Sequence, residues 1–278
     1  MKKVCIIGKG SIGIRHAKIF KKLGCEIFFL RSYKNLKNYK LNFKVNELNN
    51  FSNIKKFFFD LIVITNPSSL HVETFEKYIN FSRNFFIEKP ISTNLKNFKK
   101  FISIKSKNNC NVYSGYFLRF NPNIIKLKKI ILKKGLKIKS SNFVWHTNMP
   151  KWHKNEDYNK SYASNKKFGG GVLLTCSHEI DLAIFLFGSV KEVFCYELKS
   201  DLKINVESSV IIILKHNNKV ISQIKLDFLS LKQDRFIQVY LKKSNIILDY
   251  TKNFLLEKSK DKTKKIIKKK HKKLEDSY

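Results

Sequence analysis

The sequence predicts an α/β protein of two domains, in which a doubly wound parallel sheet is followed by an α+β domain with an open, mainly antiparallel sheet. Two observations support this fold class. In the first half of the 278-residue chain, short apolar runs alternate with helical stretches, which is typical of a parallel sheet. From Val190 onwards, strand-like runs follow one another with few helical patterns between them.

The first half supplies the elements of the parallel sheet. Its apolar runs predict strands at residues 3–7, 26–30, 61–65, 84–87 and 111–116. Helical spacing of apolar residues predicts helices at residues 11–23, 69–80 and 94–106, with a further helical candidate at 47–57.

The second half supplies two helices and then the antiparallel sheet. The helices are predicted at residues 122–132 and 172–187, and a polar, aromatic-rich loop at 146–168 lies between them. Strands are predicted at residues 136–145, 190–198, 207–215, 219–228, 234–241 and 245–250. The expected domains are therefore 1–118 and 119–258, followed by a Lys-rich tail at 259–278.

The composition excludes several protein classes. Hydrophobic residues make up 43% of the chain, which is too many for wholesale disorder, and no apolar run approaches the ~18 residues that a membrane span needs. The net charge is +35, but 51 of the 56 basic residues are lysines spread along the chain, whereas nucleic-acid readers concentrate arginines on one face. A specific nucleic-acid partner is therefore not expected. Ten lysines at 258–273 leave weak binding to an acidic surface open.

The five cysteines are scattered and form no CxxC pair. An odd, unpatterned set is typical of reduced thiols, and we therefore expect a cytoplasmic protein.

A glycine-rich turn joins the first predicted strand to the first helix. It reads Gly8-Lys9-Gly10-Ser11-Ile12-Gly13, the GxGxxG pattern in the strand-turn-helix context that a dinucleotide site requires. Glycines at 8, 10 and 13 allow the backbone to approach a pyrophosphate, and the helix N-terminal amides at Ser11 and Ile12 then bind the anion. The first domain is thus predicted to be a Rossmann domain.

The end of the second strand bears on the choice of cofactor. NAD-selective domains usually place an acid about 20 residues after the fingerprint, whereas here Arg31 and Ser32 follow the strand. A guanidinium and a hydroxyl suit a 2′-phosphate, so NADP is favoured over NAD. The alternative is that Arg31 stacks on the adenine or points to solvent.

Two side chains are candidates for proton transfer. Lys89 follows a predicted strand in Glu88-Lys89-Pro90, at the sheet edge where ligands bind, and it would donate hydrogen bonds to a substrate oxygen. His178 follows Gly169-Gly170-Gly171 near the start of a helix, with Asp181 one turn on, and would exchange a proton near neutral pH. The alternatives are a surface lysine and a packed histidine.

Two further segments are candidates for substrate contact. Arg119 lies in the junction between the two halves, where it serves either as part of a hinge or near the ligand. The 146–168 loop combines Trp152, Asp157 and Tyr162, whose aromatic faces and polar tips suit a sugar, although loop packing explains them equally well.

Taken in order, these motifs resemble the glucose–fructose oxidoreductase/inositol dehydrogenase/MocA (Gfo/Idh/MocA) family. The resemblance also includes Thr65-Asn66-Pro67 with His71, and it extends by motif from Val4 to about Gly188. It implies hydride transfer between a nicotinamide and a sugar or polyol carbon, with Lys89 and His178 as the catalytic pair. It also implies that further cofactor contacts come from Thr65, Asn66, Pro67, His71, Glu88 and Lys89, and substrate contacts from Arg119, Trp152, Asp157, Tyr162 and Asp181. No metal is implied.

One position departs from the family pattern. Many members place an aspartate three or four residues before the catalytic histidine, where this chain has Thr175 and Leu174. Either Asp181 orients His178 instead, or the mechanism rests on Lys89 and His178 alone. This Thr variant looks like a branch associated with bacterial surface-carbohydrate biosynthesis, so a nucleotide sugar is a candidate substrate. A non-catalytic NAD(P)-binding sensor or pathway scaffold is the alternative function.

One apolar segment of the second half predicts self-association. Residues 206–228 carry β-branched and aliphatic side chains at alternating positions, with no helical pattern afterwards to cover them. An apolar sheet face of this kind seldom stays in water, so a homodimer or homotetramer through that face is expected.

Overall fold

The computed structural model describes residues 1–30, 41–48, 51–134, 138–152, 157–200 and 202–267. Contacts divide the chain into two units, the first comprising Met1–Gly115 with Lys167–Gly169 and the second comprising Tyr116–Lys166 with Gly170–Tyr278. The division falls just before the domain boundary predicted at 118, because Phe117 and Leu118 pack into the core of the second unit.

The first unit is built on a parallel sheet. Its described strands are β1 Lys3–Ile7, β2 Glu26–Leu30, β3 Asn46–Leu48, β4 Leu61–Ile64, β5 Asn84–Ile87 and β6 Asn111–Ser114. They are arranged in the order β3-β2-β1-β4-β5-β6, and every neighbouring pair is parallel. The strand order reverses between β1 and β4, which is the switch point at which doubly wound folds bind dinucleotides. The predicted Rossmann fold is confirmed.

The helices described in the first unit are α1 Ser11–Lys22, α2 Phe51–Ile54, α3 His71–Tyr78 and α4 Leu95–Asn108. Alternate side chains of β1 belong to separate apolar clusters, with Cys5 and Ile7 in one and Val4 and Ile6 in the other, so both sheet faces are buried. The helix suggested at 47–57 is wrong over much of its length. Residues 46–48 pair with β2 as a sheet strand, and among the described residues of this range only 51–54 are helical.

The second unit is built on an open mixed sheet. Its described strands are β7 Ile138–Asn148, β8 Val190–Leu198, β9 Ser209–His216, β10 Ile221–Asp227, β11 Leu229–Leu241, β12 Ser244–Asp249, β13 Phe254–Ser259 and β14 Thr263–Ile267. The order is β14-β13-β12-β11-β7-β10-β9-β8. All neighbouring pairs are antiparallel except β10 with β7, which confirms the mainly antiparallel sheet.

The tail predicted at 259–278 begins as sheet. Strand β14 pairs antiparallel with β13, so that Lys258 lies opposite Thr263. Ile266 packs against the core of the second unit, which explains why this lysine-rich segment forms a strand. The remaining residues 268–278 lie outside the described part of the chain.

The helices described in the second unit are α5 Pro122–Lys134, α6 Met149–Trp152, α7 Val172–Thr175 and α8 His178–Phe187. The single helix predicted at 172–187 is therefore broken, and the segments Lys166–Thr175 and His178–Phe187 differ in direction by 45°. Glu207 fixes the first part, because its backbone oxygen accepts from Val172 N and its carboxylate from Leu173 N. The second part, α8, packs its apolar side into the core of the unit.

No single helix among the described residues has the length and apolar composition needed to cross a membrane. Only the bent pair Lys166–Thr175 and His178–Phe187 meets that measure, and only when both parts are counted together. Leu182, Ala183 and Leu186 of this pair are buried in the core of the second unit.

Candidate active site

The carboxyl ends of four parallel strands in the first unit form one continuous edge. Ile7 pairs with Ile64 and Ile64 with Ile87, so the residues that follow these strands lie side by side. Backbone hydrogen bonds of 2.9–3.0 Å continue the ladder one residue further, at Thr65, Glu88 and Gly115. The glycine turn, Thr65 and Glu88 therefore share the edge at which Rossmann domains bind ligands.

The glycine turn packs tightly against the end of β4. Gly8 has a φ of +108°, and a Cβ added there would lie 2.9 Å from the Asn66 amide nitrogen. A Cβ at Gly13 would lie 2.0 Å from the Gly8 carbonyl oxygen, which the Thr65 hydroxyl also contacts as a donor at 2.9 Å. Glycine is therefore required at positions 8 and 13, and Thr65 shapes the turn through its side chain.

The start of α1 fits a pyrophosphate. A Cβ at Gly10 would meet no atom within 4 Å, so the backbone there is open to a ligand. The N-cap residue Gly10 has no side chain to cover the start of α1, and Ser11 is exposed while Ile12 is half-buried. Open backbone at a helix N-terminus is the arrangement that binds phosphate anions. The residues present therefore fit a dinucleotide.

The carboxylate of Glu88 connects three segments of the first unit. Its Oε1 lies 2.7 Å from His16 Nε2 on α1, and its Oε2 accepts from the Lys89 amide at 3.2 Å. A Cβ at Gly115 would lie 2.7 Å from Oε2, so Gly115 leaves the room that the carboxylate needs. Glu88 is therefore buried as a support for Lys89, and its predicted contact with the cofactor stays a prediction.

Two more of the predicted cofactor residues face the protein. Asn66 is buried and donates from Nδ2 to the Thr74 hydroxyl at 2.7 Å. His71 is 1% exposed, and both of its ring nitrogens lie 2.8 Å from backbone carbonyl oxygens. Both side chains thus bond within the protein, while Pro67 and Lys89 are half-buried at the edge. A cofactor contact remains a prediction for all four residues.

The residues predicted to select the cofactor, Arg31 and Ser32, lie outside the described part of the chain. The structure adds a pair that the sequence did not reveal. Lys9 Nζ lies 2.5 Å from Glu47 Oε1, and Glu47 on β3 is the strand neighbour of Phe29 on β2. Glu47 is therefore an acid on the strand next to β2, the strand whose end carries the ribose-binding acid in NAD-selective domains. Lys9 offsets its charge.

His178 is the first residue of α8 in the second unit and is 3% exposed. Its ring makes edge contacts with Phe117 and Tyr116, whose ring centroids are 4.9 and 5.7 Å away. Burial raises the pKa of the Tyr116 hydroxyl, and the neighbouring Ser177 side chain partly opposes this shift. Aromatic edges thus fix the plane of the imidazole.

Asp181 does not serve as the partner of His178. Both of its carboxylate oxygens accept from Arg119, from Nη2 at 2.6 Å and from Nε at 2.8 Å. This two-bond pairing raises the pKa of Arg119 despite partial burial. The expectation that Asp181 orients His178 is therefore wrong, because the carboxylate is committed to the guanidinium.

The three candidate sugar-binding side chains of the 146–168 segment have different surroundings. Trp152 packs against Trp145 and Phe228, with ring centroids 6.2 and 5.7 Å apart. Asp157 caps a short turn by accepting from Asn159 N at 3.1 Å, and Tyr162 is 36% exposed. Packing explains Trp152 and capping explains Asp157, so a substrate contact remains a prediction for all three.

Two family models match the chain over most of its length. Residues 2–116 match an oxidoreductase family with an NAD-binding Rossmann fold, and residues 137–247 match the GFO/IDH/MocA C-terminal domain. The chain belongs to the Gfo/Idh/MocA family. The expected resemblance is confirmed, and with it an NAD-binding oxidoreductase architecture.

A curated relative named as an oxidoreductase matches part of the chain at low identity. The uncharacterised oxidoreductase YrbE of Bacillus subtilis is 26% identical over 137 residues, which cover 49% of this chain and 38% of that protein. The matched region is thus well under two thirds of the relative's length.

Solved structures share the whole fold. Levoglucosan dehydrogenase, in complex with NADH and L-sorbose, has a TM-score of 0.80 at 16% identity, with 96% of this chain and 80% of that chain covered. The WlbA dehydrogenase of Bordetella pertussis, in complex with NADH and UDP-GlcNAcA, has a TM-score of 0.76 at 17% identity, with 96% and 78% covered. At these identities the likeness establishes the fold.

One buried ion pair beside His178 was missed by sequence reasoning. Glu179 on α8 accepts from Arg235 Nε on β11 at 2.7 Å, and the two side chains are 1% and 9% exposed. The guanidinium carbon lies 3.8 Å from the centre of the Trp145 ring. The pair ties the first turn of α8 to the sheet. Within the described residues, no three or more His, Cys, Asp or Glu side chains are grouped to hold a metal ion.

Proposed function

We propose that this Gfo/Idh/MocA chain is an NAD(P)-dependent oxidoreductase acting on a CH–OH carbon of a sugar or nucleotide sugar. The observation that carries the proposal is Lys89 at the carboxyl edge of the Rossmann sheet. Its backbone N–H is held by Glu88, and the glycine turn that fits a dinucleotide lies on the same edge. An ammonium group at that edge stabilises negative charge on a substrate oxygen.

The proposed chemistry divides between two residues. The nicotinamide, when bound, accepts or donates the hydride. In the oxidative direction His178 takes the proton of the substrate hydroxyl, and Lys89 stabilises the developing alkoxide through a charge-assisted hydrogen bond. In the reductive direction Lys89 stabilises the negative charge that develops on the ketone oxygen, and His178 donates the one proton that this oxygen takes up. A metal ion is not needed for either direction.

The substrate class is proposed from the structural relatives. One neighbour was solved with UDP-GlcNAcA and another with L-sorbose, so the fold accommodates free and nucleotide-linked sugars. A role in surface-carbohydrate biosynthesis is consistent with the first of these. Incubation of the protein with NADPH or NADH and a panel of oxo-sugars and nucleotide sugars, followed by nicotinamide absorbance, tests the proposal.

A non-catalytic sensor is the second candidate. It is favoured by Thr175 in place of the family aspartate and by the commitment of Asp181 to Arg119. A sensor would bind NADPH without oxidising it in the presence of any sugar in the panel. All five cysteines are free thiols, which fits the cytoplasmic location that we propose for either function.

We expect NADPH to be used better than NADH. Arg31 and Ser32 suit a 2′-phosphate. Lys9 pairs with Glu47 and offsets a negative charge that would otherwise repel that phosphate. A charge-assisted contact is worth roughly 1.5–3 kcal/mol, which is about ten- to a hundredfold in affinity. Arg31→Ala should remove most of that preference in kcat/KM measured with both cofactors. Equal or better use of NADH by the native protein would defeat this expectation.

We expect a homodimer or homotetramer assembled through the outer face of the second unit's sheet. Side chains on this face include Phe194, Tyr196, Leu198, Ile211 and Ile221, all exposed. Tyr196 is 75% exposed, and its strand neighbour across from it is Ile211, so the patch is continuous. Apolar patches of this kind usually mark interfaces.

Light scattering at micromolar concentration measures this assembly. Tyr196→Lys with Phe194→Lys should shift the protein toward monomer, while Lys225→Gln, placed on the same face, should not. A clean monomer for the native protein would rule out the proposed assembly.

A further inference from the structure

The imidazole of His71 contacts two backbone carbonyls at once. Nδ1 lies 2.8 Å from the carbonyl oxygen of Pro90, and Nε2 lies 2.8 Å from that of Asn66. The side chain is 1% exposed, so water does not compete for either contact. Both distances are those of well-formed hydrogen bonds.

Two carbonyl acceptors require two protons on the ring. A carbonyl oxygen only accepts, whereas a neutral imidazole has one N–H and one lone pair. With a neutral ring, one of the two contacts would bring lone pairs together at 2.8 Å. Only the imidazolium donates to both oxygens, and hydrogen bonds from a charged donor are stronger than neutral ones.

His216 in the second unit provides an internal contrast. Its Nδ1 lies 2.9 Å from the Gly188 carbonyl oxygen, but its Nε2 lies 2.9 Å from the Ser222 hydroxyl. A hydroxyl either donates or accepts, so a neutral ring satisfies both of these contacts. Burial lowers the pKa of both histidines. At His71 the two carbonyls and the Glu88 carboxylate oppose that shift only in part, Lys89 adds to it, and the pKa stays below its ordinary value. The two carbonyl contacts, and not this shift, are therefore what indicates a doubly protonated ring.

The two carbonyls belong to the segments that flank the candidate site. Asn66 follows β4 and also packs against the glycine turn, while Pro90 follows Lys89 directly. The backbone N–H of Lys89 is already held by Glu88. A bond to the Pro90 carbonyl therefore restrains the chain on the other side of Lys89.

We propose that His71 is a positioning residue that acts as a doubly protonated imidazolium, tying Asn66 to Pro90 and thereby holding Lys89 in place. The role given to Lys89 rests on the proposed function, whereas the protonation of His71 does not. Loss of the bond to Pro90 frees the chain on that side of Lys89. Loss of the bond to Asn66 removes the anchor that holds the imidazole to the end of β4. A displacement of about 1 Å in a reacting group costs as much as ~100-fold in rate.

The direct test is NMR of the full-length protein carrying ¹⁵N-labelled histidine, at pH 7 and without cofactor. One-bond N–H correlations show which ring nitrogens carry protons. His71 is assigned by its loss in His71→Gln or, if that variant does not fold, through backbone assignment. We expect protons on both nitrogens of His71 and on one nitrogen of His216. A single proton on His71 would overturn the proposal.

The kinetic test separates positioning from general stability. In His71→Gln we expect kcat to fall between ~10- and ~100-fold, with the Kd for NADPH changed less than about threefold. Val72→Ala, at the neighbouring buried position on α3, should lower stability and leave kcat unchanged. Native kcat in a folded His71→Gln would refute the positioning role. If the native protein shows no turnover, the proposed function fails, while the NMR result still decides the protonation of His71.

Discussion

Lys89→Met and His178→Asn are each expected to lower kcat by roughly 10²–10⁴-fold, the usual worth of one positioned acid–base group. Both changes remove the proton-carrying or charged group and keep a side chain of similar reach. The His178 ring packs against the edges of Tyr116 and Phe117 at the start of α8. Asparagine at this position should keep the helix start and remove only the imidazole. The measurement is steady-state turnover with an active sugar and NADPH.

Binding measurements show whether a loss of kcat arises in the chemical step or from weaker cofactor binding. Both variants should bind NADPH with near-native affinity, since neither side chain forms the glycine turn. Lys99→Met, at an exposed position on α4, is the matched lysine control and should keep native turnover. Near-native kcat in Lys89→Met or in His178→Asn would remove that residue from the mechanism.

Glu179→Gln is expected to destabilise the second unit by roughly 3–5 kcal/mol, because it leaves the buried Arg235 guanidinium without its carboxylate. Both side chains of this pair are at most 9% exposed, so water cannot replace the lost charge. Glu76→Gln breaks the exposed Lys100 pair instead, where about 0–1 kcal/mol is expected. Urea unfolding of the two variants beside the native protein gives the comparison.

A double variant distinguishes the charge effect from simple loss of packing. Glu179→Leu with Arg235→Met replaces both charges with apolar side chains and should recover most of the stability lost in Glu179→Gln. A double variant that is less stable than Glu179→Gln would show that the ion pair itself stabilises this fold.

The Rossmann unit could be predicted well because short segments of the sequence determine its buried strands and its glycine turn. A parallel strand buried on both faces must be a continuous apolar run, as in Leu61–Ile64, and the tight turn against β4 admits only glycine at positions 8 and 13. The order of these segments was sufficient to identify the family. Each such inference depends on residues close together in sequence.

The partners of the site residues could not be predicted, because they are distant in sequence. His16 meets Glu88 across 72 residues and Glu179 meets Arg235 across 56. Asp181 lay at the right helical spacing to serve His178, but Arg119 binds both of its oxygens. Strand β14 was missed because its lysines resemble the solvated surface of this Lys-rich chain, whereas its pairing with β13 and the packing of Ile266 place it in the sheet.

The central claim is that hydride moves between a nicotinamide and a sugar carbon on this protein. NADPH deuterated at both C4 positions, incubated with the protein and the oxo-sugar panel, tests it by mass spectrometry of the sugars. We predict that at least one sugar product carries the deuterium, and that no product does so with Lys89→Met or His178→Asn on the same timescale. Tight NADPH binding with no deuterium in any sugar would contradict the claim and indicate a cofactor-binding sensor.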